Sequence, residues 1–175
     1  MDDADVERLF REYHGPLVRY LTRRLGDRDW ADEVAQETFV RALRQPKLTS
    51  ERSWLFAVAN NLVRDEARKD QRNRRHLQLL GAEAAEREAE MPESPIERAQ
   101  EAAFARRAVD ALSERDRLAL LMREEGLDYS EIASTLEISV GSVGTTLSRA
   151  RRRLAEAYEA LQAGRNVDGD AHAAS

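Results

Sequence analysis

The fold is decided by residues 128–154, DYSEIASTLEISVGSVGTTLSRARRRL, in which two helical patterns flank a short turn. Asp128 and Glu131 have the spacing of a capping box, which predicts a first helix over residues 129–136. A three-residue turn follows, and a last helix is predicted from Val140 to about Leu161. This arrangement is typical of a helix-turn-helix.

Each of these two helices has one apolar face. On the first, this face consists of Ile132, Ala133 and Leu136. On the second, apolar residues recur at steps of four, three and four positions: Val143, Leu147, Ala150 and Leu154. The opposite face presents Gly141, Thr145, Ser148, Arg149 and Arg152. Hydroxyls followed by arginines suit a major groove and its flanking phosphates, although the solvated face of an amphipathic hairpin would show the same pattern.

The first half of the chain predicts four helices with a shared core. Apolar residues at helical spacing fill the stretch 5–24, which Gly15-Pro16 is expected to divide into two helices. A third helix is predicted over residues 28–44, and a fourth begins near Ser50 and ends near Arg75. Because aromatic residues make up only 6% of the chain and Gly and Pro are few, the sequence predicts an all-α fold of two small helical domains.

The net charge of −5 hides a basic, acidic, basic pattern. Basic residues cluster at 64–75 and again at 149–153, and local fields of this kind decide nucleic-acid binding more than the net charge does. Between the clusters, residues 77–105 contain seven glutamates against two arginines. Pro92 and Pro95 cannot both lie inside one helix, so this region is expected to include a linker.

The first basic cluster follows aromatic and amide side chains on the same predicted helix. Trp54, Phe56 and Asn61 precede it, and stacking surfaces beside phosphate-binding charges are what single-stranded DNA capture requires. The alternatives are that the aromatic residues belong to the core and that the cations complement the helix dipole.

Several classes of function find no support in the sequence. The chain has no cysteine, its three histidines lack metal-ligand spacing, and no glycine-rich phosphate loop is present. We therefore expect no enzymatic activity, no cofactor and no metal. No segment has the roughly 18 consecutive apolar residues that cross a bilayer, so we expect a cytoplasmic protein without membrane insertion.

Three blocks of the chain, in order, resemble extracytoplasmic-function sigma factors of the sigma-70 family. Residues 32–42, DEVAQETFVRA, look like their polymerase-binding helix, and residues 54–65, WLFAVANNLVRD, look like their promoter-melting segment. The third block, which looks like their promoter reader, comprises residues 112–115, 129–133 and 140–151.

The resemblance implies domain boundaries and partners. Residues 1–76 would be a four-helix sigma region 2, 77–95 a flexible acidic linker, 96–162 the helix-turn-helix region 4, and 163–175 a disordered tail. The partners would be core RNA polymerase, promoter DNA and an anti-sigma factor.

The resemblance also implies site residues. The core polymerase would be bound by Asp32, Gln36, Glu37 and Arg41. The minus-ten element would be bound by Lys47, Ser53, Trp54, Asn61, Arg64, Arg68, Lys69 and Arg72. The minus-thirty-five element would be bound by Ser142, Thr145, Thr146, Ser148, Arg149, Arg152 and Arg153.

The sequence departs from the family pattern at three positions. Gly144 and Thr146 stand where the family usually has basic residues, so affinity for phosphates and its salt dependence should be reduced. Glu137 stands where glycine is common, which is unfavourable if the turn adopts a left-handed backbone. A regulator that binds duplex operators through the helix-turn-helix alone is the alternative function, and it would bind DNA without polymerase.

Overall fold

A computed structural model describes the backbone of residues 3–79 and 96–173 and the side chains of residues 4–70 and 98–164. Within these ranges the chain forms seven helices and no strand, which confirms the all-α prediction. Contacts divide the chain into two compact units, residues 1–90 and 91–175. Most of the predicted linker, residues 80–95, lies outside the described residues.

The first unit contains three helices: α1 Asp3–Leu25, α2 Arg28–Leu43 and α3 Glu51–Leu79. Its core is formed by fully buried side chains that include Leu9, Leu17, Tyr20, Leu21, Val34, Leu55 and Phe56. Asp27 begins α2, where its side chain accepts a hydrogen bond from the backbone N of Trp30 at 3.0 Å. Arg8 joins α1 to α3, since its two terminal nitrogens lie 2.5 and 3.1 Å from the two carboxylate oxygens of Glu51.

The predicted break at Gly15-Pro16 is wrong, because α1 continues through both residues. A proline clashes with the Cβ of the residue before it when that residue is helical, and Gly15 has no Cβ. In addition, Leu9 and Leu17 are both fully buried, so both halves of the helix are held by the same core. Over residues 3–79 the first unit therefore has three helices rather than four.

Two helices are longer than predicted. Helix α3 extends to Leu79 rather than ending near Arg75, since neither glycine nor proline occurs between residues 51 and 80. The last helix extends to Ala173 rather than to about Leu161, and it covers most of the segment that was predicted to be disordered. Residues 155–163 are mainly Ala, Glu, Leu and Gln, which are strong helix formers, and one glycine at 164 lowers helix propensity by only about 1 kcal/mol.

The second unit contains α4 Ile96–Asp110, α5 Glu114–Glu124, α6 Tyr129–Leu136 and α7 Val140–Ala173. Ser113 begins α5 by accepting a hydrogen bond from the backbone N of Asp116 at 3.3 Å. The core includes Leu118, Met122, Leu127, Ile132, Val143, Leu147 and Ala150. Helices α4, α5 and α6 all pack against α7, which makes α7 the centre of this unit.

The helix-turn-helix has the predicted boundaries. The capping box is complete, because Asp128 Oδ1 accepts from the backbone N of Glu131 and Glu131 Oε2 accepts from the backbone N of Asp128, both at 2.8 Å. Helix α6 ends at Glu137, which adopts the left-handed conformation with φ 55° and ψ 45°. The backbone N of Ile138 then donates to the carbonyl of Ala133 at 3.0 Å, which closes the turn.

Glu137→Gly should stabilise the second unit by about 0.5–1 kcal/mol. The left-handed conformation is unfavourable for a residue with a Cβ by roughly 1–2 kcal/mol, and the greater freedom of glycine in the unfolded chain offsets part of that gain. The measurement is chemical denaturation of the two proteins. Glu159→Gly is the matched control, since Glu159 is an exposed residue of the right-handed helix α7 and its replacement should destabilise the protein. If the Glu137→Gly variant were no more stable than wild type, the left-handed conformation of Glu137 would not be unfavourable.

Candidate nucleic-acid interface

One face of α3 carries an aromatic ring, an amide and basic groups in line. Trp54, Asn61 and Arg68 are seven residues apart, and at 100° per residue each step turns only about 20°, so they form one stripe along the helix. Trp54 is half-buried, whereas Asn61, Arg64 and Arg68 are exposed. Arg64 Nη1 donates to Asn61 Oδ1 at 3.4 Å, so the amide and the first cation of the cluster lie side by side.

The two adjacent asparagines have different surroundings. Asn60 is 3% exposed, and its Oδ1 accepts from the hydroxyl of Tyr20 at 2.7 Å and from Nη1 of Arg24 at 2.6 Å. Asn60 therefore belongs to the core, and Asn61 is the one of the pair that is available to a ligand. The polar contact among Asn60, Tyr20 and Arg24 was not predicted, although Asn60 lies four residues after the buried Phe56 and so falls on the same face.

The other residues that were predicted to bind the minus-ten element differ in how exposed they are. Lys47 and Lys69 are exposed, and Lys69 lies about 80° around α3 from Asn61. Ser53 is 4% exposed and its hydroxyl donates to the carbonyl of Ser50 at 3.2 Å. The predicted DNA contact of Ser53 is therefore corrected: its side chain is buried at the start of α3. The side chain of Arg72 lies outside the described ones.

The predicted polymerase-binding residues lie on the solvent side of α2. Gln36 and Arg41 are exposed, and Asp32 and Glu37 are half-buried. At 100° per residue, Asp32 and Gln36 lie on one flank of this surface, whereas Glu37 and Arg41 lie on the other. Arg41 Nε donates to Glu37 Oε1 at 2.8 Å, which holds that second pair together.

Exposed apolar side chains lie next to these polar ones, and they were not predicted as site residues. Val40 and Leu43 on α2 are 40% and 49% exposed, and Phe10 on α1 is 46% exposed. Phe10 stacks on His14 with ring centroids 4.3 Å apart and contacts Phe39 of α2 at 5.1 Å. Large exposed apolar groups grouped in this way are typical of a protein-binding surface.

The outward face of α7 carries most of the residues that were predicted to contact the minus-thirty-five element. Ser142, Thr145, Ser148 and Arg152 are exposed. Val140, which was not predicted as a site residue, is 52% exposed at the first position of the helix. Thr146 is 5% exposed, and its predicted role in DNA contact is corrected: it lies three positions after Val143 and four before Ala150, so it shares their buried face.

Arg149 and Arg153 are bound by a carboxylate of the protein itself. Arg149 Nη2 donates to Asp116 Oδ1 at 2.6 Å, and its Nε lies 3.2 Å from both carboxylate oxygens. Arg153 Nη1 donates to Asp116 Oδ2 at 3.0 Å. The side chain of Asp116 is fully buried, so these bonds join α5 to α7 within the second unit. The charge of both arginines is partly compensated before any phosphate is present.

The pKa of Asp116 is lowered by this arrangement. The hydrogen bond from Arg149 is the largest cause, and burial of the carboxylate acts in the opposite direction with a smaller effect. The same hydrogen bond raises the pKa of Arg149. Sequence reasoning missed this contact because residues 116 and 149 are 33 positions apart.

Two family descriptions match the two units separately. Residues 9–73 match sigma-70 region 2, and residues 105–154 match sigma-70 region 4. The first match contains the α3 stripe and the exposed face of α2, and the second ends within α7 and contains the whole turn between α6 and α7.

Three named proteins are similar to this chain over most of its length. RNA polymerase sigma factor YlaC of Bacillus subtilis is 30% identical over 154 residues, which are 85% of this chain and 89% of that protein. The ferric citrate uptake sigma factor FecI of Escherichia coli is 32% identical over 82% of this chain and 85% of its own length. ECF RNA polymerase sigma factor SigL of Mycobacterium tuberculosis is 31% identical over 86% and 87%.

The chain belongs to the extracytoplasmic-function group of the sigma-70 family, whose members are transcription initiation factors. The crystal structure of the sigma factor RpoE with the anti-sigma factor NepR from Bartonella quintana has the same fold, with a TM-score of 0.64. That similarity covers 89% of this chain and 97% of RpoE at 21% identity. Among the described residues, none of the helices is both long and apolar enough to cross a membrane.

The stability of the second unit should fall in acid because of Asp116. Its folded pKa is lower than its unfolded pKa, so its ionisation stabilises the fold fully above pH of about 4, and this contribution is lost as the pH falls through the lowered value. Asp116→Asn should lower the Tm near neutral pH by several degrees and reduce the acid dependence of Tm. Asp110→Asn is the matched control, since Asp110 is exposed and its ion pairs are 3.5 and 3.8 Å long. An unchanged acid dependence in Asp116→Asn would show that this carboxylate is not responsible.

Proposed function

We propose that this protein binds core RNA polymerase, directs it to promoters and assists the opening of promoter DNA. The observation that carries the proposal is that one chain has an aromatic, amide and basic stripe on its first unit and a helix-turn-helix on its second. A stand-alone regulator of duplex operators needs only the second of these surfaces. The function requires no catalytic group, so we propose that the protein is not an enzyme and that it acts in the cytoplasm, with the polymerase.

The exposed side of α2 is the proposed contact with core polymerase. It combines the apolar groups of Val40 and Leu43 with the hydrogen-bonding groups of Asp32 and Gln36. Apolar side chains supply most of the favourable free energy of such an interface, and polar groups around them set the orientation of the partner. Glu37 and Arg41, which already pair with each other, would form the edge of this surface.

The stripe on α3 is the proposed site for the opened strand of the minus-ten element. Trp54 offers a stacking surface, Asn61 offers donors and an acceptor for a base edge, and Arg64 and Arg68 offer charges for phosphates. Unstacking a base costs a few kcal/mol, and stacking on an aromatic side chain returns about 1–3 kcal/mol per base. Binding of the single strand would in this way offset the cost of opening the duplex.

The outward face of α7 is the proposed contact with the minus-thirty-five element. Ser142, Thr145 and Ser148 would approach the base edges, and Arg152 would approach the backbone. Because Arg149 and Arg153 bond to Asp116, their main role would be to hold α7 against α5. Only the exposed part of each guanidinium group would be available to bind phosphates.

An anti-sigma factor is the proposed regulatory partner. RpoE of Bartonella quintana, which shares the fold, was crystallised with the anti-sigma factor NepR. The surfaces on α2, α3 and α7 are exposed, so a partner that covers any one of them would block the proposed function.

Run-off transcription with purified core enzyme on a promoter library tests the function. We expect specific transcripts only when both the protein and core enzyme are present, and weak DNA binding by the protein alone. Strong sequence-specific duplex binding without core enzyme, together with no transcripts above those of core alone, would favour the stand-alone regulator and contradict the proposal.

Arg68→Ala should weaken open-complex formation on a promoter recovered from that library. Loss of one phosphate contact with a single strand should reduce the slope of log K against log salt concentration by about 0.7. Arg11→Ala is the matched control, since Arg11 is an exposed arginine on α1 that pairs with Glu7 at 2.6 Å. A salt dependence that changes equally in both variants would contradict a specific role for the α3 stripe.

Leu43→Glu should lower affinity for core enzyme by at least about tenfold, because a charge would be placed within a desolvated apolar contact. The measurement is competition for core enzyme in solution, and thermal unfolding should be unaffected since Leu43 is half exposed. Ala4→Glu provides the control, since it adds the same single negative charge at an exposed position of α1 in the same unit. If Leu43→Glu and wild type had equal affinity for core enzyme, the proposal that α2 contacts core enzyme would be contradicted.

A further inference from the structure

The start of α7 carries small and apolar side chains where sequence-specific helices often carry long polar ones. Residues 140–148, VGSVGTTLS, contain no Arg, Lys, Asn or Gln. The N-terminal residues of a recognition helix are the ones that contact base edges in a helix-turn-helix. The side chains that bind guanine (Arg and Lys) or adenine (Asn and Gln) with two hydrogen bonds are therefore absent from this part of the helix.

The nearest arginine is not placed to substitute for them. Arg149 lies nine residues after Val140, which is about 13.5 Å along a helix at 1.5 Å per residue. Its Nη2 and Nε are bonded to the buried carboxylate of Asp116. Reaching a base edge near the start of α7 would require breaking these bonds and leaving the buried carboxylate with Arg153 as its remaining cationic partner.

The described second unit has two large exposed apolar side chains, one at the start of α6 and one at the start of α7. Its large exposed apolar side chains are those of Val140, 52% exposed, and Tyr129, 41% exposed. Gly144 lies four residues after Val140 and thus on the same side of α7, and a Cβ on Gly144 would be only 3.7 Å from Cε2 of Tyr129. The ring of Tyr129 therefore lies beside Gly144, on the side of α7 to which residue 140 also belongs.

Methyl groups have one specific partner in the major groove. The C5-methyl of thymine is the apolar group that the bases present there, and it distinguishes a T·A pair from the others by van der Waals contact. Hydroxyls such as that of Thr145 accept or donate to several bases and so discriminate less. Ser142 has a further restriction, since its hydroxyl lies 2.5 Å from that of Ser139.

We infer that α7 recognises thymine through the methyl groups of Val140, so that the duplex element it binds contains a T·A pair whose C5-methyl contacts this side chain. The inference rests on the proposed DNA-binding function of the second unit. It identifies Val140 as a residue that determines specificity, and it makes the contact apolar rather than charged.

The test begins with selection of randomised duplexes by the full-length protein, in one arm with core enzyme and in the other without it. Each thymine of the enriched element is then replaced singly by deoxyuridine, which lacks only the C5-methyl. We expect one replacement to reduce affinity about three- to fivefold, the effect of one methyl group removed from contact. Val140→Ala should bind the thymine and deoxyuridine duplexes equally.

Val140→Thr is the conservative variant, and it should keep part of the discrimination because it keeps one methyl group. Val140→Ala should fold normally, since Val140 is half exposed and alanine favours a helix, and thermal unfolding checks this. An enriched element that is insensitive to every deoxyuridine replacement, or equal discrimination by Val140→Ala and wild type, would overturn the inference.

The outcomes separate this inference from the proposed function. Enrichment only without core enzyme would contradict the sigma-factor function, while the deoxyuridine scan on that element would still decide the role of Val140. Enrichment with core enzyme and no effect of deoxyuridine would leave the function in place and overturn only the thymine contact. No enrichment in either arm would overturn both.

Discussion

The carboxylate of Asp116 is fully buried in the second unit, where it receives hydrogen bonds from Arg149 and Arg153 of α7. A buried charge without these partners would be strongly unfavourable, so α7 is held against α5 in one rotational setting. Together with the burial of Val143, Leu147 and Ala150, that setting determines which residues of α7 face outward. It places Thr146 in the core and leaves Val140 exposed at the start of the helix.

The same interaction affects the electrostatics of the proposed DNA contacts. Two of the arginines that end the helix-turn-helix stretch are partly compensated by Asp116, whereas Arg64 and Arg68 are exposed on α3. In the proposed function, α3 contributes phosphate contacts through its basic residues and α7 contributes contacts with base edges. This division agrees with the reduced number of basic residues near the start of α7, where Gly144 packs beside the ring of Tyr129.

Local patterns were sufficient for much of the fold. The capping box at Asp128 and Glu131 predicted the start of α6, because the two residues lie within a few positions of each other. The break at Gly15-Pro16 was predicted wrongly by the same kind of local argument. There, burial of both halves of α1 in one core outweighed the loss of a single backbone hydrogen bond.

From its order of amino acids alone, the chain could be recognised as helical, as containing a helix-turn-helix, and as resembling sigma factors, since periodicity, caps and motif order are all properties of neighbouring residues. Its side-chain roles depended on packing between distant segments. Only the folded chain separated buried Asn60 from exposed Asn61, and only it paired Arg149 with Asp116. The hydrogen bonds that join Tyr20 to Asn60 and Arg149 to Asp116 connect positions more than 30 residues apart, and the spacing of residues along one helix carries no information about such partners.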